Sequence, residues 1–155
     1  MTRMTREPKD APKLIAIDHD DYHASHVGHT ADGHQFFLTT PFVSAGKDNP
    51  GCEFIALYIF DDEGALLEAH IDNLGPRAEL DNVLASSLFD QRLSQLGPVE
   101  YGRIEVKPFE VERFGTTFGL IPQPPEDEDD YWSVTVEPGD YMAFYEPWDS
   151  GDYDT

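Results

Sequence analysis

The chain has 155 residues and a formal net charge of -21 at pH 7, with 31 acidic against ten basic side chains, 39% apolar residues and 12% aromatic ones. That length predicts a single domain of residues 1–155, and the apolar and aromatic content predicts a packed core rather than general disorder. The charge excludes direct binding to nucleic acid or to an anionic membrane and favours cations and basic protein surfaces.

Residues 1–11 mix Arg, Lys, Glu and Pro without an apolar stretch, so they are not a signal peptide. They and the last few residues are expected to be flexible. The longest apolar run, residues 54–60, is seven long, against the ~20 residues that a bilayer-spanning helix needs. Cys52 is the one cysteine and cannot form an internal disulfide. Together these features predict a cytoplasmic protein. An acid-rich, lysine-poor chain is also what a high-salt host or plain solubility favours, so the charge alone does not require a partner.

Residues 13–17 (KLIAI) predict a short first strand. Residues 26–30 and 34–42 flank Ala31-Asp32-Gly33, the pattern of a β-hairpin closed by a short Asp-Gly loop. Pro41 marks the end or the edge of the second arm. Residues 53–60 are nearly all apolar and β-prone, which predicts a central strand buried on both faces. After the turn at residues 61–64, Leu67, Ala69 and Ile71 alternate with Glu68, His70 and Asp72, a strand with one wet face. Gly75-Pro76 opens a predicted helix that ends at Gly97-Pro98. Its apolar residues form two stripes, Leu80, Val83, Leu84 and Leu88 on one side and Phe89, Leu93 and Leu96 on another.

Residues 101–111 alternate as one strand, with Pro108 marking a bulge or an edge. Residues 116–121 form the next, and residues 122–130 (PQPPEDEDD) read as a proline-acid loop. Trp132, Val134 and Val136 alternate with Ser133 and Thr135. Glu137-Pro138-Gly139-Asp140 has the composition of a type II turn, leading into a closing strand at residues 141–145. These elements predict an α+β fold: a mostly antiparallel β-sheet of about seven to nine strands with one main helix packed on it.

His19, His23, His26, His29 and His34 lie within sixteen residues, among Asp18, Asp20, Asp21 and Asp32. Imidazoles beside carboxylates suit zinc or nickel, and His26, His34 and Asp32 are the candidate ligand set. The spacing matches no metal signature, and a polar strand pair with surface or hydrogen-bonded histidines explains the pattern better. Glu68, His70 and Asp72 share one strand face, but neighbours at ~7 Å suit an exposed surface better than one ion. No nucleophile motif, phosphate loop or EF-hand pattern is present, so no catalytic residue is assigned.

The last basic residue is Arg113, and residues 114–155 carry eleven acidic side chains. Within that stretch the loop residues Glu126, Asp127, Glu128, Asp129 and Asp130 are candidate partner contacts. So are Trp148, Asp149, Asp152 and Tyr153 in the terminal segment. Aromatic anchors ringed by charge suit an interface, in which the rings supply burial and the charge supplies steering. Alternatively, Trp148 tucks the segment onto the sheet.

The stretches HVGHTADGHQFF, LYIFDDEGALLEA, YGRIEVKPFEV with FGLI after it, and FYEPWDSGDYDT give a resemblance that runs from about His26 to the end of the chain. By these stretches the chain resembles a group of small bacterial proteins, some labelled formate hydrogenlyase regulatory proteins. The resemblance implies a cytoplasmic protein that binds a regulator rather than catalysing a reaction, and it transfers no active-site residue. The basic stretch or helix-turn-helix of a DNA reader is missing from the sequence, so a regulatory role is expected to run through a protein. The expectation is therefore a non-catalytic acidic binding protein with a basic protein partner and no cofactor. The alternative is a His-rich protein that binds a divalent metal, zinc or nickel, with a metal-dependent hydrolytic function.

Overall fold

One strand organises the molecule because both of its faces are apolar. The computed structural model describes residues 11–155, so the expectation of flexibility for residues 1–11 lies, Ala11 aside, outside the described residues. In chain order the elements are β1 (Ile15–Ile17), β2 (Val27–Thr30), β3 (Gln35–Thr39), β4 (Phe42–Val43), β5 (Cys52–Phe60) and β6 (Leu66–Gly75). Then follow α1 (Asn82–Ser94), β7 (Val99–Tyr101), β8 (Ile104–Val106), β9 (Phe109–Arg113), β10 (Thr116–Gln123), β11 (Ser133–Glu137) and β12 (Ala143–Phe144).

Successive side chains of β5 point to opposite faces. Phe54, Ala56, Tyr58 and Phe60 enter the main core, with Phe37, Phe118, Leu120, Val134, Val136, Met142 and Phe144. Ile55, Leu57 and Ile59 enter a second cluster with Phe36 and Leu38, covered by Leu88, Phe89 and Leu93 of α1. Each large side chain so buried contributes roughly 1.5–3 kcal/mol. The strand therefore ties two layers together.

The expected single sheet of seven to nine strands is corrected: the described residues form twelve strands in three sheets, all paired antiparallel, and the fold is mostly β with one α-helix. The six-stranded sheet has β6 on one side of β5, and β3 with β4, then β2 and β7, on the other. The other sheets are the β1–β8 pair and β12-β11-β10-β9.

Proline and glycine explain the larger count. β3 and β4 run against β5 in one unbroken register, Thr39 opposite Ala56 and Phe42 opposite Glu53. Pro41 divides them because it has no N–H to donate, though its carbonyl still accepts from Phe54 N–H at 3.0 Å. Residues 101–111, expected as one strand, instead lie in three elements belonging to three different sheets. Tyr101 pairs with Gly28, Ile104–Val106 pairs with β1, and Phe109–Arg113 pairs with β10. The chain changes sheet after Gly102, whose N–H donates to Val27 O (3.1 Å), and at Lys107-Pro108, where Lys107 N–H turns to Gly64 O (2.9 Å) and Pro108 has no N–H. At Gly119, opposite Glu110, a Cβ would stand 2.1 Å from Phe109 O and φ is 145°, so only glycine fits the close approach of β9 and β10.

The helix begins later than the sequence suggests. β6 continues to Gly75, a 3-10 turn covers Arg77–Glu79, and Asp81 caps α1 by accepting from Val83 N–H (3.0 Å) and Leu84 N–H (3.1 Å). Of the two apolar stripes, Leu88, Phe89, Leu93 and Leu96 pack on the sheet, while Val83 and Leu84 stay 82% and 54% exposed. Arg92 fixes the helix laterally, with Nε and Nη2 donating to the two Asp72 carboxylate oxygens of β6 at 2.8 and 2.9 Å.

The turn after β11 also departs from expectation. The Glu137–Pro138 bond is cis, and Gly139 and Asp140 both have positive φ (106° and 48°). Asp140 N–H donates to Val136 O at 3.0 Å, so this is not a type II turn.

A candidate acidic binding face

The outward face of β10, β11 and β12 is built from polar residues because the inward face takes the apolar ones. Val134 and Val136 are buried in the core. Ser133, Thr135 and Glu137 alternate with them and point the other way. There Gln123 Nε2 donates to Thr135 Oγ1 (3.1 Å), which donates to Glu137 Oε2 (2.7 Å). This relay forms the floor of a concavity of about 720 Å³, whose rim includes Asp140, Tyr145 and Asp154. Among the described residues, no Lys or Arg lines it.

The acidic loop rises from the rim of this concavity. Gln123 ends β10 and Ser133 begins β11, so residues 124–132 spring from two of its lining residues. Glu126, Asp127, Glu128, Asp129 and Asp130 are all exposed, and the loop orders itself with its own carboxylates. Glu126 N–H donates to Asp130 Oδ2 at 3.1 Å, and Asp129 N–H donates to Asp127 Oδ1 at 3.0 Å. The amide of Glu126, followed by that of Tyr131, holds the Asp130 carboxyl below its ordinary range.

The terminal segment reaches the same concavity from the other side. Asp154 lines it and exchanges two backbone hydrogen bonds with Ala143 of β12. Asp149 and Asp152 are exposed. Trp148 and Tyr153 differ from them. Both are partly buried against the main core. Tyr153 Oη donates to Asp20 Oδ2 and accepts from His23 N–H, so the two rings dock the segment onto its own protein. Burial first, and the bond to Asp20 second, push the Tyr153 hydroxyl up to about 12. At Asp20, burial works to raise the carboxyl. The bonds from Tyr153 and from the amides of Tyr22 and Ala24 outweigh that and hold it below its usual value.

One exposed aromatic at this face and one on the acidic loop are groups the sequence reading missed. Tyr131 is 70% exposed beside the acidic run, and Tyr145 is 45% exposed at the concavity. Tyr131 was legible as the residue that follows five consecutive acids. Tyr145 was not, because strand alternation alone does not say which face is covered.

The candidate metal ligands do not converge. His34 and Asp32 are neighbours at the hairpin turn, Nδ1 to Oδ2 3.7 Å. His26 stands at the far end of the hairpin, opposite Leu38, with its ring against Phe89 and Tyr101 and its Nδ1 3.0 Å from Ser25 Oγ. Four residues of strand, on the order of 13 Å, separate the two histidines. Among the described residues, no three His, Cys, Asp or Glu side chains are grouped so as to hold a metal ion. The remaining histidines have other partners: Ser25 O for His19, Arg103 O for His29, Glu68 for His70, and the rings of Tyr22 and Tyr141 for His23. Burial, followed by the charge of His19, lowers the pKa of His26. Burial lowers that of His23, with Asp20 opposing. Cys52 Sγ lies 3.1 Å from Asn73 Oδ1, and no base stands beside it in the hydrogen-bond network.

No known protein family, no curated protein and no solved structure matches this chain. No helix among the described residues is long and apolar enough to cross a membrane.

Proposed function

We propose that this is a non-catalytic binding protein that engages a basic surface of a partner protein through the outward face of β10–β12. One observation carries the reading. Gln123 and Ser133, the two residues from which the acidic loop 124–132 springs, line one concavity together with Asp154 of the terminal segment, and no Lys or Arg among the described residues lines it. A field of one sign gathered around a concave face speeds encounter with an oppositely charged surface. Tyr131 and Tyr145 supply the apolar contact that charge alone lacks. A regulatory role exercised through a protein partner, as the resemblance in sequence implies, is consistent with this mode of action.

The test compares the full chain with a variant carrying Glu126→Gln, Asp127→Asn, Glu128→Gln, Asp129→Asn and Asp130→Asn. Both are immobilised and exposed to a bacterial cytoplasmic extract at low salt. The expected result is a basic protein retained in stoichiometric amount by the wild type, eluted by salt and lost from the variant. Equal retention by both proteins would overturn the assignment of the face.

A further inference from the structure

Residues 146–154 fill a gap between two sheet edges. The amides of Ala16 and Asp18, on the edge of β1 turned away from β8, donate to the carbonyls of Trp148 (2.9 Å) and Gly151 (3.0 Å). Ala143, on the outer edge of β12, pairs with Asp154 in both directions (2.9 and 2.8 Å). Backbone pairing thus joins the segment to the two-stranded sheet at one end and to the four-stranded sheet at the other. The fit is close. Gly151 has φ 87°, and a Cβ there would lie 2.3 Å from the Asp18 carboxylate.

Charge opposes this docking. The segment carries Glu146, Asp149, Asp152 and Asp154 up to the stretch that holds Asp18, Asp20 and Asp21. Among the described residues, the cation that binds it is Arg103. Its Nη2 donates to Asp149 O, its Nη1 to Asp18 Oδ1 at 3.0 Å, and its Nε lies 3.5 Å from Glu105 Oε2. The segment is held by four backbone bonds to the sheets, by Arg103 and by the partly buried rings of Trp148 and Tyr153, with carboxylates facing Asp18 and Asp20, so its local stability is below that of the β5 layer, which is buried on both faces.

We infer that residues 146–154 are a releasable strap, which opens as one unit while the three sheets stay folded, and that Arg103 holds it shut. Opening bares the outer edges of β1 and β12. The strap includes Asp154, which lines the concavity proposed above, so its opening would alter that face; the exchange experiment below uses no partner and reads the strap separately.

Native-state hydrogen exchange on the full chain, at residue resolution, tests it. The amides of Ala16, Asp18, Ala143 and Asp154, with His23 behind Tyr153, are expected to exchange through one shared opening, faster than Ala56, Leu57 and Tyr58 of β5. Arg103→Gln is expected to speed those five by roughly tenfold while leaving the β5 amides unchanged, since it removes charged hydrogen bonds that are partly exposed. Tyr153→Phe is expected to speed the same five. Raising NaCl from about 20 to about 300 mM is expected to slow them in the wild type. The repulsions are more numerous and longer-ranged than the Arg103 contacts and are screened first. Exchange of the five at β5 rates, or at mutually unrelated rates, would overturn the strap. An Arg103→Gln variant that leaves the five unchanged, or that exposes β5 equally, would overturn the role of Arg103.

Discussion

Replacing Tyr58 by Phe is expected to make the protein more stable. Tyr58 is 1% exposed in the middle of the main core, and its hydroxyl has no hydrogen-bond partner among the described residues. Burial pushes that hydroxyl far above its ordinary pKa, with Tyr141 adding to the effect. Burying a neutral hydroxyl without a partner costs ~1–3 kcal/mol. Losing the oxygen removes a few dispersion contacts of ~0.1–0.2 kcal/mol each. The balance is a gain of about 1 kcal/mol, or about 2–4 °C in Tm for a domain of this size. Tyr141 provides the opposite sign. Its hydroxyl lies 2.7 Å from Thr39 Oγ1, and Thr39 is only 6% exposed. Tyr141→Phe leaves the Thr39 hydroxyl bare and is expected to cost about 1–2 kcal/mol. Urea unfolding of the two variants and the wild type, with m-values compared to confirm two-state behaviour, reads both effects. A Tyr58→Phe variant that loses 1 kcal/mol or more would refute the reasoning, because a buried water would then be satisfying the hydroxyl.

Three further outcomes follow from the same structure. Asp81→Ala removes both cap bonds of α1 and is expected to lower stability by about 1 kcal/mol, read as a fall in the urea midpoint. Gly151→Ala forces a Cβ against the Asp18 carboxylate at a positive φ and is expected to cost about 2 kcal/mol or to dislodge the terminal segment, read by Trp148 fluorescence. The third concerns pH. His23 and His26 both have pKa values lowered by burial from the ordinary 6.5. The unfolded chain therefore takes up protons first, so their contribution is present above pH 6.5 and is lost as pH falls below it. The urea midpoint is expected to drop between pH 8 and pH 5.5, and a His23→Gln, His26→Gln variant is expected to show a shallower drop.

The parts of the fold legible in the sequence are those governed by local pattern. The unbroken apolar run at residues 54–60 marked a strand covered on both faces, and β5 lies between the main core and α1. Asp32-Gly33 marked the hairpin, and β2 pairs with β3 around it. The sheet to which each strand belongs was not legible. Nothing in the alternation of residues 101–111 says that Tyr101 serves one sheet, Ile104 a second and Phe109 a third, because that choice depends on partners dozens of residues away. The terminal aromatics were ambiguous for the same reason. Trp148 and Tyr153 sit among acids in sequence, and only the long-range contacts to Asp20, His23 and the main core turn them inward. The histidines that looked like a ligand set were near in sequence, yet hairpin pairing carries His26 and His34 to opposite ends.

Electrostatic recognition by the acidic face is tested most directly by the association rate of the retained basic partner as a function of ionic strength. The expected result is a rate constant that falls at least several-fold between about 25 and about 300 mM NaCl, with the loop-neutralised variant starting lower and falling less. A rate that stays flat with salt, or an identical dependence for wild type and variant, would contradict binding through this face.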